Sequence, residues 1–85
     1  MEQIVKKLLM ELIECFSKHF DIGETIIECC ELIKDDIEII EKDRAEFFCT
    51  LWNESEKYNF SEQENNILAE IEATIVMMCG GKLQN

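Results

Sequence analysis

Residues 23–40 read GETIIECCELIKDDIEII, and two interleaved patterns in them decide how the chain is read. Ile26, Cys30, Ile33, Ile37 and Ile40 recur at steps of four, three, four and three. That is the spacing of one apolar helix face. Carboxylates recur in the same rhythm at Glu24, Glu28, Glu31, Asp35 and Glu38, two residues ahead of the apolar row. Two residues turn a helix by about 200°, so the acids fall opposite the apolar face.

Working outward, the apolar row continues through Arg44, Phe47 and Leu51 without a slip, and neither glycine nor proline intervenes before Asn53. A sustained four-three alternation is a heptad seam. It predicts one long helix over residues 22–54. From Glu24 to Glu54 such a helix would span about 45 Å. Arg44 is the one charged member of the seam. It predicts a bend, a snorkelling side chain, or a carboxylate partner across an interface. A break near Lys42-Asp43 is the alternative, and it would give a four-helix arrangement.

On the N-terminal side, Ile4, Leu8, Leu12, Cys15 and His19 keep helical spacing, widened by Val5, Leu9, Phe16 and Phe20. They predict a helix over residues 2–19. Asp21, with Glu24 three residues on, reads as the capping box of the next helix. On the C-terminal side, residues 53–60 read as a linker. Ser61-Glu-Gln-Glu64 is a capping box, and it opens a helix over residues 61–79 with Ile67 or Leu68, Ile71, Ile75 and Met78 on its apolar face. Gly80-Gly81 is its stop, and residues 80–85 form the tail.

The expected fold is therefore all-α: a single domain over residues 1–85, a three-helix bundle with a long central helix, or a four-helix bundle if that helix breaks. The first helix would fold back on one half of the long one and the third on the other half. Such an elongated arrangement leaves apolar surface uncovered, which predicts self-association through a seam of Ile26, Ile33, Ile37, Ile40, Arg44, Phe47 and Leu51.

Composition narrows the function classes. Nineteen acids against eight bases give the 85-residue chain a formal charge of −11. That charge repels nucleic acid and anionic membranes and attracts basic partners. No apolar run approaches the length of a membrane span, and the N-terminus lacks the apolar core of a secretory signal. The five cysteines include no CxxC pair. They read as small apolar side chains in a reducing, cytoplasmic setting.

Catalytic and metal chemistry finds little support. His19 is the only histidine. A helix-end position is a simpler reading for it than a base in a nucleophilic triad. Acid pairs at i,i+3 lack the Glu-x-x-His partners of di-metal bundles, and Asp35-Asp36 lacks the loop glycine of a calcium hand. Cys15, Cys30 and Cys79 fall on apolar faces, whereas Cys49 falls nearer the polar side. The expectation is no enzyme, no cofactor and no metal. Trp52, Phe47, Phe48, Tyr58 and Phe60 cluster in sequence. They read as core, with Phe48 and Trp52 as the residues of a partner hot spot if one exists.

The acidic row remains. A solvated helix face is the simple reading, yet solvated faces usually mix charges. Here every i,i+3 or i,i+4 neighbour within the row is like-charged, at a cost of about 0.2–0.5 kcal/mol per pair. Carboxylates every 5–6 Å or so along a rod resemble a phosphate track. The sequence thus predicts a small, acidic, non-enzymatic regulator that binds a basic protein partner. In its most specific form it is a nucleic-acid mimic blocking a basic groove, by analogy of size and charge with inhibitors that phages and mobile elements carry. The competing expectation is an oligomerisation module, a homodimer joined through the seam from Ile26 to Leu51.

Overall fold

The computed structural model describes residues 1–80, and those residues are helical without a strand among them. The elements are α1 (Glu2–Ser17), α2 (Ile22–Ile33), a single 3-10 turn (Lys34–Asp36), α3 (Ile37–Lys42), α4 (Arg44–Ser55), a second 3-10 turn (Glu56–Tyr58) and α5 (Glu62–Met78). Four of the helices have twelve residues or more, and α3 has six.

Local chemistry sets most of the ends. Helix α1 stops two residues before His19, not at it. His19 sits at φ 60°, its N–H donates to the Phe16 carbonyl at 3.1 Å, and the Phe20 N–H donates to the Cys15 carbonyl at 3.1 Å. Those two bonds form a Schellman stop with histidine in the left-handed position that glycine usually takes. His19 is exposed, so it does not extend the apolar face of α1. The Asp21 carboxylate accepts the Glu24 N–H at 2.7 Å and caps α2, although Glu24 makes no return bond. At α5 both halves of the capping box form. The Glu64 N–H donates to Ser61 Oγ at 3.1 Å, and the Ser61 N–H donates to Glu64 Oε1 at 2.9 Å. Gly80, at φ 95°, closes α5 in the left-handed region. Gly81 and the rest of the expected tail lie outside the described residues.

The long central helix does not form. Ile33 and Asp36 leave helical geometry at ψ near zero, and Asp43 swings to φ −141°, ψ 63°. The chain therefore kinks at 34–36 and breaks at Asp43, where the alternative reading placed the break. The molecule measures 37 × 24 × 21 Å. A straight rod of about 45 Å would overrun its longest dimension. The radius of gyration, 12.2 Å, is that of a compact chain of this length.

Packing differs from the elongated expectation as well. Helix α1 packs against both α2 and α4, and α5 packs against α2. One core results. Val5, Leu8, Leu9 and Leu12 of α1 meet Cys29 and Ile33 of α2, Ile40 of α3, Phe47 and Leu51 of α4, and Leu68, Ile71 and Ile75 of α5, all fully buried. The break at Asp43 is what lets both halves of the seam reach α1. At roughly 1.5–3 kcal/mol per fully buried large side chain, closing this core outweighs the few backbone bonds lost at the break.

Candidate functional site

The acidic row lies on the outer surface. Glu24, Glu28 and Glu31 stand on α2, Asp35 in the 3-10 turn and Glu38 on α3, and all five are exposed. A 3-10 residue advances about 120° where an α residue advances about 100°. Three such residues rotate the later acids by roughly 60°, so the row bends with the kink and does not run straight. One cation attends it among the described residues: Lys34 Nζ lies 3.1 Å from Glu31 Oε1. The hydrogen bond and charge of Glu31 push the Lys34 ammonium above its ordinary pKa. Beside the row, Lys7 of α1 reaches Asp36 at 2.9 Å and ties α1 to the kink.

The expected oligomer seam turns inward. Ile33, Ile40, Phe47 and Leu51 are fully buried in the chain's own core, and Ile26, Ile37 and Arg44 are half-buried. Arg44 begins α4 immediately after the break. There its guanidinium lowers the thiol pKa of Cys79, against the larger upward effect of burial.

The aromatic cluster divides. Phe47 is buried in the core with Phe48 edge-on to it at 5.3 Å. Trp52 is half-buried, and its indole N–H donates to Glu72 Oε1 of α5 at 3.0 Å. Tyr58 and Phe60 belong instead to a second group with Phe16 of α1. Phe60 meets Phe16 edge-on at 5.6 Å, and Tyr58 stacks on Phe60 at 5.8 Å with planes 17° apart. Tyr58 remains 42% exposed. Phe60 divides two clefts of about 400 Å³ each. Trp52, Ser55, Glu56, Asn59 and Asn65 line one with it, and Ile13, Phe16, Ser17, Tyr58 and Glu64 line the other. Sequence reading missed Phe16 as a member of this corner and Glu72 as the tether of Trp52. Both come from other helices, and no local pattern signals them. Asn59 at φ 54° makes the sharp corner between α4 and α5, a role to which asparagine is well suited.

The thiols divide four to one. Cys15, Cys29, Cys30 and Cys79 are buried, and Cys49 is exposed. Burial pushes the Cys29 thiol far above its ordinary value, with the neighbouring Cys15 and Glu11 adding to the effect. Cys15, Cys30 and Cys79 are raised too, burial being the largest cause in each. None of these four buried thiols is poised as a nucleophile. Among the described residues no group of three or more histidine, cysteine or acidic side chains could hold a metal ion. No described helix is long and apolar enough to cross a membrane.

Two surface regions thus stand out, one acidic and one aromatic. Comparison with protein-family models, with curated proteins and with solved structures finds no match to this chain.

Proposed function

We propose that this chain is a small cytoplasmic, non-enzymatic regulator that inhibits a larger protein by laying the acidic α2–α3 face on a basic surface. The observation that carries the reading is the row itself: five exposed carboxylates with, among the described residues, a single lysine against them. A formal charge of −11 on 85 residues extends the attraction beyond contact distance. The preferred partner is a nucleic-acid-binding protein, whose groove already accommodates a line of negative charge. The bend at 34–36 fits a curved groove better than a flat one.

The test is capture of partners from a host lysate at low salt and again at about 0.5 M salt, several times physiological ionic strength. The triple variant Glu28→Lys, Glu31→Lys, Asp35→Lys is run beside the parent chain. A salt-sensitive complex lost in the variant, with helicity unchanged, supports the reading. A complex retained by the variant sinks it.

The oligomerisation reading uses the same chain differently. Since Ile33, Ile40, Phe47 and Leu51 have no exposed surface, pairing through the seam would require the core to open. A salt-indifferent homodimer in light scattering, abolished by Ile37→Asp at the half-buried part of the seam with helicity unchanged, would favour it.

A further inference from the structure

The corner where α4 turns into α5 has features that a wet surface does not require. Three aromatic rings, Phe16, Phe60 and Tyr58, are held in a fixed ladder across two elements. A fourth, Trp52, is fixed by its bond to Glu72. Held rings lose little freedom when a ligand arrives, which is what makes aromatic anchors effective. The two clefts beside Phe60 contain one carboxylate each, Glu56 in the first and Glu64 in the second, and among the described residues no lysine or arginine lines either. Lys57, the nearest cation in sequence, is turned to Glu54 at 3.1 Å. Glu64 spends one oxygen on the Ser61 N–H, which fixes the carboxylate in place. Phe60 stacks on one face of the Tyr58 ring, and Tyr58 stays exposed.

Aromatic faces next to carboxylates, without a competing cation, match the side chain of arginine. A guanidinium stacks on a ring and pairs with a carboxylate at once, which an ammonium does less well. We propose that this corner is a second docking site, taking an arginine-containing segment of a protein partner. One guanidinium lies against Tyr58 and Glu64, and a second lies across Phe60 against Trp52 and Glu56. The proposal shares with the preceding section the idea of a basic partner, but it uses a different face of the molecule. It would anchor the partner by ring contacts where the acidic row supplies long-range attraction.

Trp52 is the only tryptophan and lines the first cleft, so its emission reads the site directly. The probe is the peptide acetyl-Gly-Arg-Leu-Arg-Gly-amide, titrated at low salt, with its glutamate counterpart as control. The expected result is a saturable change in Trp52 emission with the arginine peptide and none with the control. Tyr58→Ala should weaken binding roughly fivefold, and Glu56→Gln with Glu64→Gln by a similar or larger factor. Glutamine at position 64 keeps the helix cap, so that double variant should fold even if Tyr58→Ala does not. The triple lysine variant of the acidic row should still bind the peptide, with at most a modest loss. No saturable response, or a response unchanged in both corner variants, overturns the proposal. A response lost only in the row variant also overturns it and assigns the peptide to the row. Failure at the corner leaves the lysate experiment on the row to stand or fall separately.

Discussion

Helix α5 and the stretch from Ile26 to Leu51 carry equally regular apolar patterns, yet one becomes a single helix and the other becomes three. Helix α5 begins at a capping box and ends at a left-handed glycine, signals written within a few residues. The middle has no such signals. Asp43 starts α4 without a side-chain cap bond, and the 3-10 turn has none either. Its breaks exist because Ile33, Ile40, Phe47 and Leu51 must all enter the same small core, and a straight helix cannot bring them there. Periodicity reports which side of a helix is apolar. It does not report whether one partner or several will cover that side.

The strongest way to break the comparison is to test whether the middle truly folds inward. Phe47→Ala removes a fully buried ring and should cost about 3–5 kcal/mol, enough to unfold a domain of this size. Ile39→Ala, at a side chain 52% exposed, should stay within about 0.5 kcal/mol. Urea unfolding followed by circular dichroism measures both. A loss at Ile39 as large as that at Phe47 would mean that the exposed side of α3 is covered in solution by a second copy.

The next largest effect is alkaline. Cys29 of α2 has its pKa raised on folding, so the unfolded chain loses its thiol proton first as pH rises. Its contribution to stability is therefore complete below the ordinary thiol value of 9.0 and falls above it. The expected slope approaches about 1.4 kcal/mol per pH unit from this thiol alone. Urea midpoints at pH 8 and 10 should drop in the parent chain and in Cys49→Ala, and drop less in Cys29→Ala. Equal slopes in all three would place the proton release elsewhere.

The two helix starts can then be set against each other. Ser61→Ala breaks the capping box of α5 and should cost about 1 kcal/mol. Asp43→Ala removes no cap bond, and it takes a carboxylate away from Glu46, whose own pKa is raised by its hydrogen bond to Asp43 and by that charge. Its expected effect at neutral pH is near zero or slightly stabilising. A loss at Asp43 equal to that at Ser61 would show that the break is set locally after all. The smallest expected change is a gain: Thr25 is buried and its hydroxyl finds no partner among the described residues, so Thr25→Val should stabilise by up to about 1 kcal/mol.

The candidate surfaces were legible to different degrees. The acidic row is visible in sequence because helical spacing and composition suffice to place five carboxylates outside. The bend in the row is not visible, since it follows from the kink at 34–36. Phe48 and Trp52 read as core from the sequence, whereas both are half-buried, because the elements packed against α4 cover only part of their rings. The ladder that joins Tyr58 and Phe60 to Phe16 spans more than forty residues of chain and needs the end of α1 beside the turn that joins α4 to α5. His19 illustrates the same division on a smaller scale. Its spacing suits the face of α1, but two backbone bonds behind it end the helix, and the side chain turns to water.

By itself the sequence determined an all-helical chain, the caps at Asp21 and Ser61, most of the apolar faces of α1 and α5, and the exposure of the five acids of the row. Each of these depends on interactions within one or two helical turns, or on the free energy of moving a side chain out of water. Only the tertiary structure decided that the heptad seam closes on itself, that α1 covers both of its halves, and that the aromatic corner exists. Those outcomes depend on which surfaces meet, and burying one shared core in a short chain favours a bent backbone over a continuous helix.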